Sequence, residues 1–396
     1  MKNAWQSSTF RIFLTGQMMT RTGDWIDLVA LNWAVFQLTN SPIQLGIVNA
    51  CRLVPVFLMS VPAGVLADRY DRRKLLMFTQ VSMMALTFLL GYLIHLEASF
   101  WVFTSIVTLR AMISAVEVPV SNALLPNLIP ASCLQSAIAL NTTILNLSRI
   151  IGPAIAGVLL GYLDISTLFY INGCSSIGIL LCLQLISTVS DQKQSLLKAK
   201  KQGDLQEMIA YLKEHTIVRN LLWMAILPMV FGFPYTSMMP VFASELLGLE
   251  AKGFALLLSI SAVGAILASI WLSFGKAIAG AGKWLITSII GFGLSLVLFV
   301  SSSSVVMAGI AMFLIGATSQ LYRTMSRITI QQQVPDQLRG RIMSIALMDR
   351  GFIPLGALLI GTVAEWAGAY HAGLLMGMGC ILVIGFVLWK REIWNI

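Results

Sequence analysis

Charged residues are scarce in this sequence. Asp, Glu, Lys and Arg together account for 11% of its 396 residues, whereas hydrophobic residues account for 57%. Soluble domains carry roughly one quarter charged residues, so the composition excludes an ordinary soluble protein. It predicts an integral membrane protein. At about 20 apolar residues for each spanning helix, the chain has room for about twelve spans.

Clustered metal ligands and nucleotide-binding motifs are also missing. The histidines His95, His215 and His371 lie in or near loops, and no His-Glu-x-x-His or Gly-x-x-x-x-Gly-Lys-Ser/Thr motif occurs. This disfavours a membrane-embedded metalloenzyme and an ATPase, so we expect no enzymatic activity, no metal and no cofactor. Intramembrane acids around a bound metal would restore the enzyme interpretation. The cysteines form no Cys-x-x-Cys pair, and we interpret them as packing residues: Cys51, Cys133, Cys174, Cys182 and Cys380.

The N-terminus does not resemble a cleavable signal peptide. Its apolar run from Phe10 to Leu38 is too long and has no small-residue cleavage pattern, so we predict that it is the first membrane span. Similar runs follow along the chain and predict an all-α polytopic protein with twelve transmembrane helices. The runs cover residues 10–38, 42–67, 75–95, 99–128, 137–162, 165–188, 219–247, 253–275, 283–301, 304–328, 342–367 and 371–389.

The loops between these runs are basic on one side only. Lys252 stands alone on the other side. The basic side holds Lys2, Arg11, Arg69, Arg72, Arg73, Lys74, Lys193, Lys198, Lys200, Lys201, Lys213, Arg219, Lys276, Lys283, Arg339, Arg341, Lys390 and Arg391. The positive-inside rule therefore predicts a multi-pass protein of the inner (plasma) membrane with both termini in the cytoplasm. The net charge of +9 is then a signal of topology and does not indicate a nucleic-acid partner.

One long polar segment divides the chain. It predicts two six-helix halves, residues 1–189 and 219–396, joined by a cytoplasmic linker at 190–218. Within the linker, Leu205, Met208, Ile209 and Leu212 follow the spacing of an amphipathic helix. We expect this helix to lie along the membrane surface, and a helix that binds a partner is the alternative.

Seven arginines and four acids lie inside the predicted spans. Facing lipid, they would cost on the order of 30 kcal/mol, so they must pair with one another or line a watery cavity. Arg21, Asp24 and Asp27 form, with Gln17, a polar stripe on span one, and Arg110 and Glu117 share a face of span four. Arg323 and Arg327, near the cytoplasmic end of span ten, are expected to extend their charges to the membrane interface.

The loop after span two carries the most specific motif. Gly64, Asp68 and Arg69 are followed by the basic run Arg72, Arg73 and Lys74. This spacing closely resembles the loop 2-3 motif of the major facilitator superfamily, with Asp71 where that family usually has glycine. The resemblance implies a fold of two pseudo-symmetric six-helix halves. It also implies that Gly64, Asp68, Arg69, Arg72 and Arg73 act as a conformational latch; a loop that serves topology alone is the alternative.

A second motif lies in span five. Arg149 precedes Gly152, Pro153 and Gly157, which are similar to the Gly-Pro-x-x-Gly-Gly motif associated with antiporters of this superfamily. Ala156 replaces one glycine. Proline and glycine together allow a bend or a tight helix seam, so these four residues are a candidate hinge. The resemblance favours an exporter over an importer, and generic helix packing is the alternative.

Arg110 resembles the mid-membrane arginine that tunes protonation of an acid in such families. We therefore expect Asp24, Asp27, Arg110 and Glu117 to couple transport to protons, with Asp24 as the first candidate carrier and Asp27 as the alternate. A static ion-pair clamp between spans one and four is the other interpretation. Burial favours the protonated form of a carboxylate and a nearby arginine favours the charged form, so small movements can change its protonation.

A substrate cavity is expected near span seven, where aromatic residues and methionine stand beside prolines. Its candidate residues are Arg21, Trp33, Arg52, Phe233, Tyr235 and Met239, and simple packing is the alternative. The chain looks most like bacterial drug:proton antiporters and their relatives that export siderophores such as enterobactin. This implies proton-coupled export of an amphiphilic organic molecule by a monomer embedded in the bilayer. The alternatives are a dedicated exporter of an anionic metabolite, an importer and a receptor that does not transport.

Overall fold

The structure, a computed structural model, describes most of the chain. The described residues are 5, 7–124, 128–130, 133–185, 211–274, 280–335, 338, 342–343, 346 and 351–388. Within them the fold is entirely helical, as the apolar runs predict. Residues 205–209 of the expected linker helix lie outside these ranges, while residues 211–214 are helical.

The helices are numbered here in chain order. They are α1 Ser8–Thr39, α2 Pro42–Arg69, α3 Arg72–His95, α4 Phe100–Leu124, α5 Leu134–Leu159, α6 Ile165–Leu185, α7 Thr216–Phe231, α8 Tyr235–Leu247, α9 Ala251–Phe274, α10 Ala281–Val300, α11 Val305–Gln333, α12 Ile353–Ala367 and α13 Ala369–Leu388.

Each predicted span overlaps one of these helices or a helix pair, and of the run 342–367 the structure gives a continuous helix from Ile353 onward. By length and composition, nine stretches of the described chain are able to cross a membrane, and α12 and the first part of α13 are shorter apolar helices. The predicted multi-pass, all-helical architecture is thus confirmed, whereas the count of twelve stays a prediction. Helix α11 runs to Gln333, five residues past the predicted apolar run, because helical backbone bonding does not require apolar side chains.

Local side chains set several helix ends. Ser41 and Ser304 accept hydrogen bonds from the backbone N–H groups of Gln44 and Met307, at 3.3 and 3.2 Å, and so cap the starts of α2 and α11. Helix α8 ends at Gly248, whose φ of 61° is the left-handed conformation that glycine adopts without strain.

The chain divides into two compact units. The first contains residues 1–190 together with Leu249–Ser259, and the second contains residues 191–248 together with Ile260–Ile396. In the first unit α1 packs against α5 and α6, and α2 packs along α4. In the second unit α10 packs against α11 and α13.

The predicted seventh span is interrupted. Helix α7 ends at Phe231 and α8 begins at Tyr235, with Pro234 in the N-cap position. Pro228 has no N–H to offer to the carbonyl of Met224, four residues earlier. The hydroxyl of Tyr322 contacts this carbonyl at 3.3 Å and donates to the next one, Ala225 O, at 2.6 Å. A side chain of α11 thus supplies hydrogen bonding that the proline removes from α7.

Glycine allows close helix crossing in the second unit. A Cβ atom added to Gly316 of α11 would collide with the backbone of Ser261 in α9, and one added to Gly264 of α9 would collide with the backbone of Phe313. Small residues that let two backbones approach in this way are typical of membrane helix interfaces.

Candidate proton and substrate site

The first unit carries a network of charged side chains between α1 and α4. Asp27 of α1 accepts two hydrogen bonds from Arg110 of α4: Nη1 donates to Oδ1 at 2.6 Å, and Nη2 donates to Oδ2. Thr87 of α3 lies 3.4 Å from the same Nη1. The pair is deeply buried, since the Arg110 and Asp27 side chains are 7% and 4% exposed. This is a bidentate charge pair, the strongest class of side-chain hydrogen bonding.

The second part of the network shares one guanidinium between two carboxylates. Arg21 Nη1 lies 3.0 Å from Asp24 Oδ2, one turn along α1, and Nη2 lies 2.9 Å from Glu117 Oε1 on α4. The two acids differ in burial: the side chain of Glu117 is 5% exposed and that of Asp24 is 36% exposed. Asp24 is therefore the accessible acid of the network.

The order of the charges along the two helices explains the pairing. Arg21 and Asp27 are six residues apart, about 9 Å of helix, and Arg110 and Glu117 are seven apart, about 10.5 Å. Since α1 and α4 run antiparallel here, each basic group meets an acid. The spacing of the charges can be read from the sequence, but the relative depth and rotation of the two helices cannot. The sequence therefore leaves open whether Arg110 meets Asp24 or Asp27.

Two polar contacts of the network were missed. Gln17 Nε2 donates to Ser121 Oγ at 2.6 Å, one further step along the same helix pair. The contact of Thr87 with Arg110 was the other. A lone Ser or Thr in a span gives no signal by itself, since such hydroxyls commonly bond to the backbone of their own helix.

Arg52, on α2, belongs to the same region. It is half-buried and lies within electrostatic range of Asp27, Arg110 and Asp24. Across the described ranges, no hydrogen bond or ion pair involves its guanidinium group. Arg52 thus differs from Arg21 and Arg110, which are both held by carboxylates.

The other expected cavity residues are packed in the interior of their units. Trp33 is 7% exposed and stacks on Phe254, with ring centroids 5.9 Å apart. Phe233, Tyr235 and Met239 are also buried. For these four residues the structure shows packing, the alternative that sequence analysis left open.

An aromatic group surrounds the break between α7 and α8. Phe233 lies 5.3 Å from Phe292 and 6.1 Å from Tyr322, measured between ring centroids. The Tyr235 hydroxyl lies 3.0 Å from Ser261 Oγ. Arg323 Cζ stands 4.3 Å from the Phe233 ring centroid, a cation–π contact. This contact holds the guanidinium against a buried ring, since Phe233 is only 3% exposed, and the extension of Arg323 to the membrane interface stays a prediction.

The span-five motif lies at close contacts. A Cβ atom on Gly152 would collide with Trp25 of α1, and one on Gly157 would stand 2.8 Å from the Cβ of Ala255 in α9. Pro153 lies inside α5. Arg149 follows Ser148, whose hydroxyl accepts a hydrogen bond from Thr22 of α1 at 3.2 Å. The motif thus forms tight seams within the first unit.

The expected latch is partly described. The side chains of Gly64, Asp68 and Arg69 lie outside what the structure describes, although their backbone is helical. Asp71 caps α3 by accepting a hydrogen bond from Lys74 N at 3.0 Å, and its φ of −56° requires no glycine. The departure from the family pattern is therefore compatible with an ordinary helix start. Arg73 Nη2 donates to Gln184 O of α6 at 3.2 Å.

The cysteines and acids form no further site. In the described ranges, no group of three or more His, Cys, Asp or Glu residues is placed to hold a metal ion. Cys133 and Cys380 are buried, as a packing role requires, but Cys174 is exposed on α6. The packing interpretation is therefore wrong for Cys174.

Comparisons with known proteins agree with this architecture. A family profile described as "Transmembrane secretion effector" matches residues 3–393. The chain belongs to this family of major facilitator transporters. The staphyloferrin A transporter of Staphylococcus aureus is 35% identical over 381 residues, 95% of this chain and 93% of that protein.

More distant relatives extend the comparison. Macrolide efflux protein A of Streptococcus pyogenes is 23% identical over 96% of each chain. The crystal structure of the nucleoside transporter NupG superposes with a TM-score of 0.78 at 13% identity, covering 97% of this chain and 99% of that one. At that identity the likeness shows the fold alone. These proteins are transporters, and the chain is a multi-pass secondary transporter of the major facilitator type.

Proposed function

We propose that this protein exports amphiphilic organic molecules by alternating access and that an inward flow of protons drives the export. The observation that carries the proposal is the sharing of Arg21 between Asp24 and Glu117. Arg21 is the guanidinium within hydrogen-bond distance of both acids, so when one acid takes up a proton Arg21 keeps the other as its partner. This makes the pair of acids a place for an exchangeable proton. Asp27 is less suited to this role because Arg110 alone satisfies both of its oxygens.

The accessible acid is the better proton carrier of the two. Asp24 is reached from outside the network, whereas Glu117 is enclosed by it. When Asp24 takes up a proton, Arg21 is left with Glu117 as its only charged partner. Protonation thus changes the ion pairs of α1, including the contact of Arg21 with α4. If this helix contact has two arrangements, a proton that favours one of them shifts the population toward it. Arg110 then keeps the role of holding Asp27 in place.

A dedicated exporter of an anionic metabolite is the second candidate. The staphyloferrin A transporter is considerably more similar to this chain than macrolide efflux protein A is. Among the described residues Arg52 forms no ion pair with a carboxylate, and this also favours an anionic substrate. A membrane potential that is negative inside contributes about 2.3 kcal/mol per 100 mV to the outward movement of one negative charge.

Several further features remain part of the proposal. The two halves with their cytoplasmic linker, the cytoplasmic termini, the inner-membrane location and the monomeric state are proposed from the sequence patterns and the resemblance. The latch role of Gly64, Asp68, Arg69, Arg72 and Arg73 and the hinge role of Arg149, Gly152, Pro153 and Gly157 follow from the resemblance.

Transport into inside-out membrane vesicles tests the function directly. Vesicles that contain the protein are given a pH gradient, acidic inside, and either cationic ethidium or anionic enterobactin. We expect uptake of one cargo class that collapses when nigericin removes the gradient. Uptake that is equal with and without the gradient would contradict proton coupling. Uptake driven only by the opposite gradient would contradict export.

A further inference from the structure

Arg52 lies too deep in its helix to reach either end. It stands ten residues beyond Pro42, the first residue of α2, and seventeen residues before Arg69, the last. At 1.5 Å per residue these intervals are about 15 and 25 Å. Long basic side chains near helix ends extend to the membrane interface, but no arginine side chain spans such distances.

The acids near Arg52 are already engaged. Asp27 and Asp24 are the carboxylates within its electrostatic range, and Arg110 and Arg21 hold them at hydrogen-bond distance. Within the part of the chain that the structure describes, the guanidinium of Arg52 has no hydrogen-bonding partner. Its five N–H donors are therefore available to another molecule.

A charge at this depth is expensive unless something compensates it. An arginine at the centre of a spanning helix costs about 2.5 to 3.5 kcal/mol on insertion scales. Ion pairs with carboxylates of the protein offset this cost for Arg21 and Arg110. Among the described residues, no such ion pair offsets it for Arg52. The planar guanidinium matches a carboxylate with two parallel hydrogen bonds, which an ammonium group cannot reproduce.

From this arrangement we infer that Arg52 binds a carboxylate of the transported substrate and selects organic anions over neutral and cationic molecules. The inference rests on the proposed function for the existence of a transported substrate. It adds the substrate class and the residue that recognises it. Arg21 and Arg110 do not share this role, because the acids of the network occupy them.

Equilibrium binding to the purified full-length protein in lipid nanodiscs tests the inference. The probes share one ring system and differ in charge: 1-naphthoate, 1-naphthamide and 1-naphthylmethylammonium. We expect the wild-type protein to bind 1-naphthoate most tightly. Arg52→Gln should weaken 1-naphthoate about tenfold, the loss of a charge-assisted hydrogen bond, and leave 1-naphthamide unchanged.

Two further variants separate recognition from structure. Arg52→Lys keeps the charge without the planar fork and should weaken 1-naphthoate by about threefold, and it also serves if Arg52→Gln fails to fold. Arg11→Gln removes one exposed positive charge from the start of α1 and is the matched control, with unchanged affinity. Equal 1-naphthoate affinity in all four proteins would overturn the inference, as would a wild-type protein with no preference for the carboxylate.

The binding experiment is independent of the energy source. It uses no pH gradient. A preference for 1-naphthoate that depends on Arg52 therefore supports the carboxylate-binding role of Arg52 even if proton-driven efflux fails. Conversely, proton-driven efflux with no such preference would retain the proposed function and remove Arg52 from it.

Discussion

Both units of this transporter contain glycine and aromatic contacts between helices, and the ion pairs between described residues distinguish the first unit. In the first unit, α1 and α4 are joined by ion pairs among Arg21, Glu117, Asp27 and Arg110. Every ion pair whose two partners are both described belongs to this unit. In the second unit, aromatic rings surround the α7–α8 break, and α9 crosses α11 at glycine-mediated backbone contacts.

This difference separates the tasks that each unit can perform. Ion pairs change when a proton or a charged substrate arrives, so the first unit is able to respond to both. The aromatic and glycine contacts of the second unit include no carboxylate, and apart from the cation–π contact of Arg323 with Phe233 their energies come from packing. We therefore expect substitutions in the ion pairs of the first unit to alter coupling and selectivity as well as stability, and substitutions in the second unit to alter stability alone.

The largest effect is expected from Asp27→Asn. It leaves the charge of Arg110 buried without its carboxylate, and breaking one side of a buried pair costs about 3–5 kcal/mol. We expect a strongly lowered midpoint of thermal unfolding and little transport. Combining it with Arg110→Gln removes the stranded charge and should restore much of the midpoint but not the transport. Additive losses in the double variant would show that the two residues are not coupled.

A smaller effect is expected at the helix crossing of the second unit. Gly316→Ala places a methyl group against the backbone of Ser261, which no side-chain rotation relieves, so we expect a loss of about 1–3 kcal/mol. Gly309→Ala, on the same helix α11, is the matched control. Its added Cβ would lie 3.5 Å from the side chain of Ile260, and alanine favours the helix by up to about 1 kcal/mol. Equal unfolding midpoints for the two variants would rule out the close crossing.

The smallest effect is expected from Tyr322→Phe. It removes the hydroxyl that serves the carbonyls of Met224 and Ala225, and a hydrogen bond of this kind contributes about 0.5–1.5 kcal/mol. Pro228→Ala returns an N–H to α7. In that background the loss caused by Tyr322→Phe should therefore shrink. An unchanged loss would mean that the hydroxyl does not compensate for the proline. Transport coupling should persist in Tyr322→Phe, in contrast to variants of the first unit.

The sequence predicts the helices of this fold well and their contacts less well. Apolar runs locate the spans because a membrane helix must be apolar over about 20 residues. The i, i+3 spacing places Arg21 beside Asp24, since that contact lies within one helix. The pairing of Asp27 with Arg110 depends on the depth and rotation of two helices far apart in sequence, which the periodicity of either helix does not contain.

The second unit shows that residue chemistry alone does not distinguish a substrate pocket from a packed core. Phe233, Tyr235 and Met239 have the chemistry of a deformable pocket and also that of a packed core. The sequence therefore fits a pocket and a core equally well. Only their burial distinguishes the two: all three are buried, and the rings of Phe233 and Tyr235 both lie near that of Phe292.

The central claim is that the acids of the first unit carry the coupled proton. Proteoliposomes containing the wild-type protein, Asp24→Asn or the matched control Asp164→Asn, an exposed loop residue, allow gradient-driven efflux and substrate exchange to be measured separately. We predict that Asp24→Asn loses gradient-driven efflux but keeps exchange, while Asp164→Asn keeps both. Full pH-driven efflux by an Asp24→Asn, Asp27→Asn double variant would contradict the account.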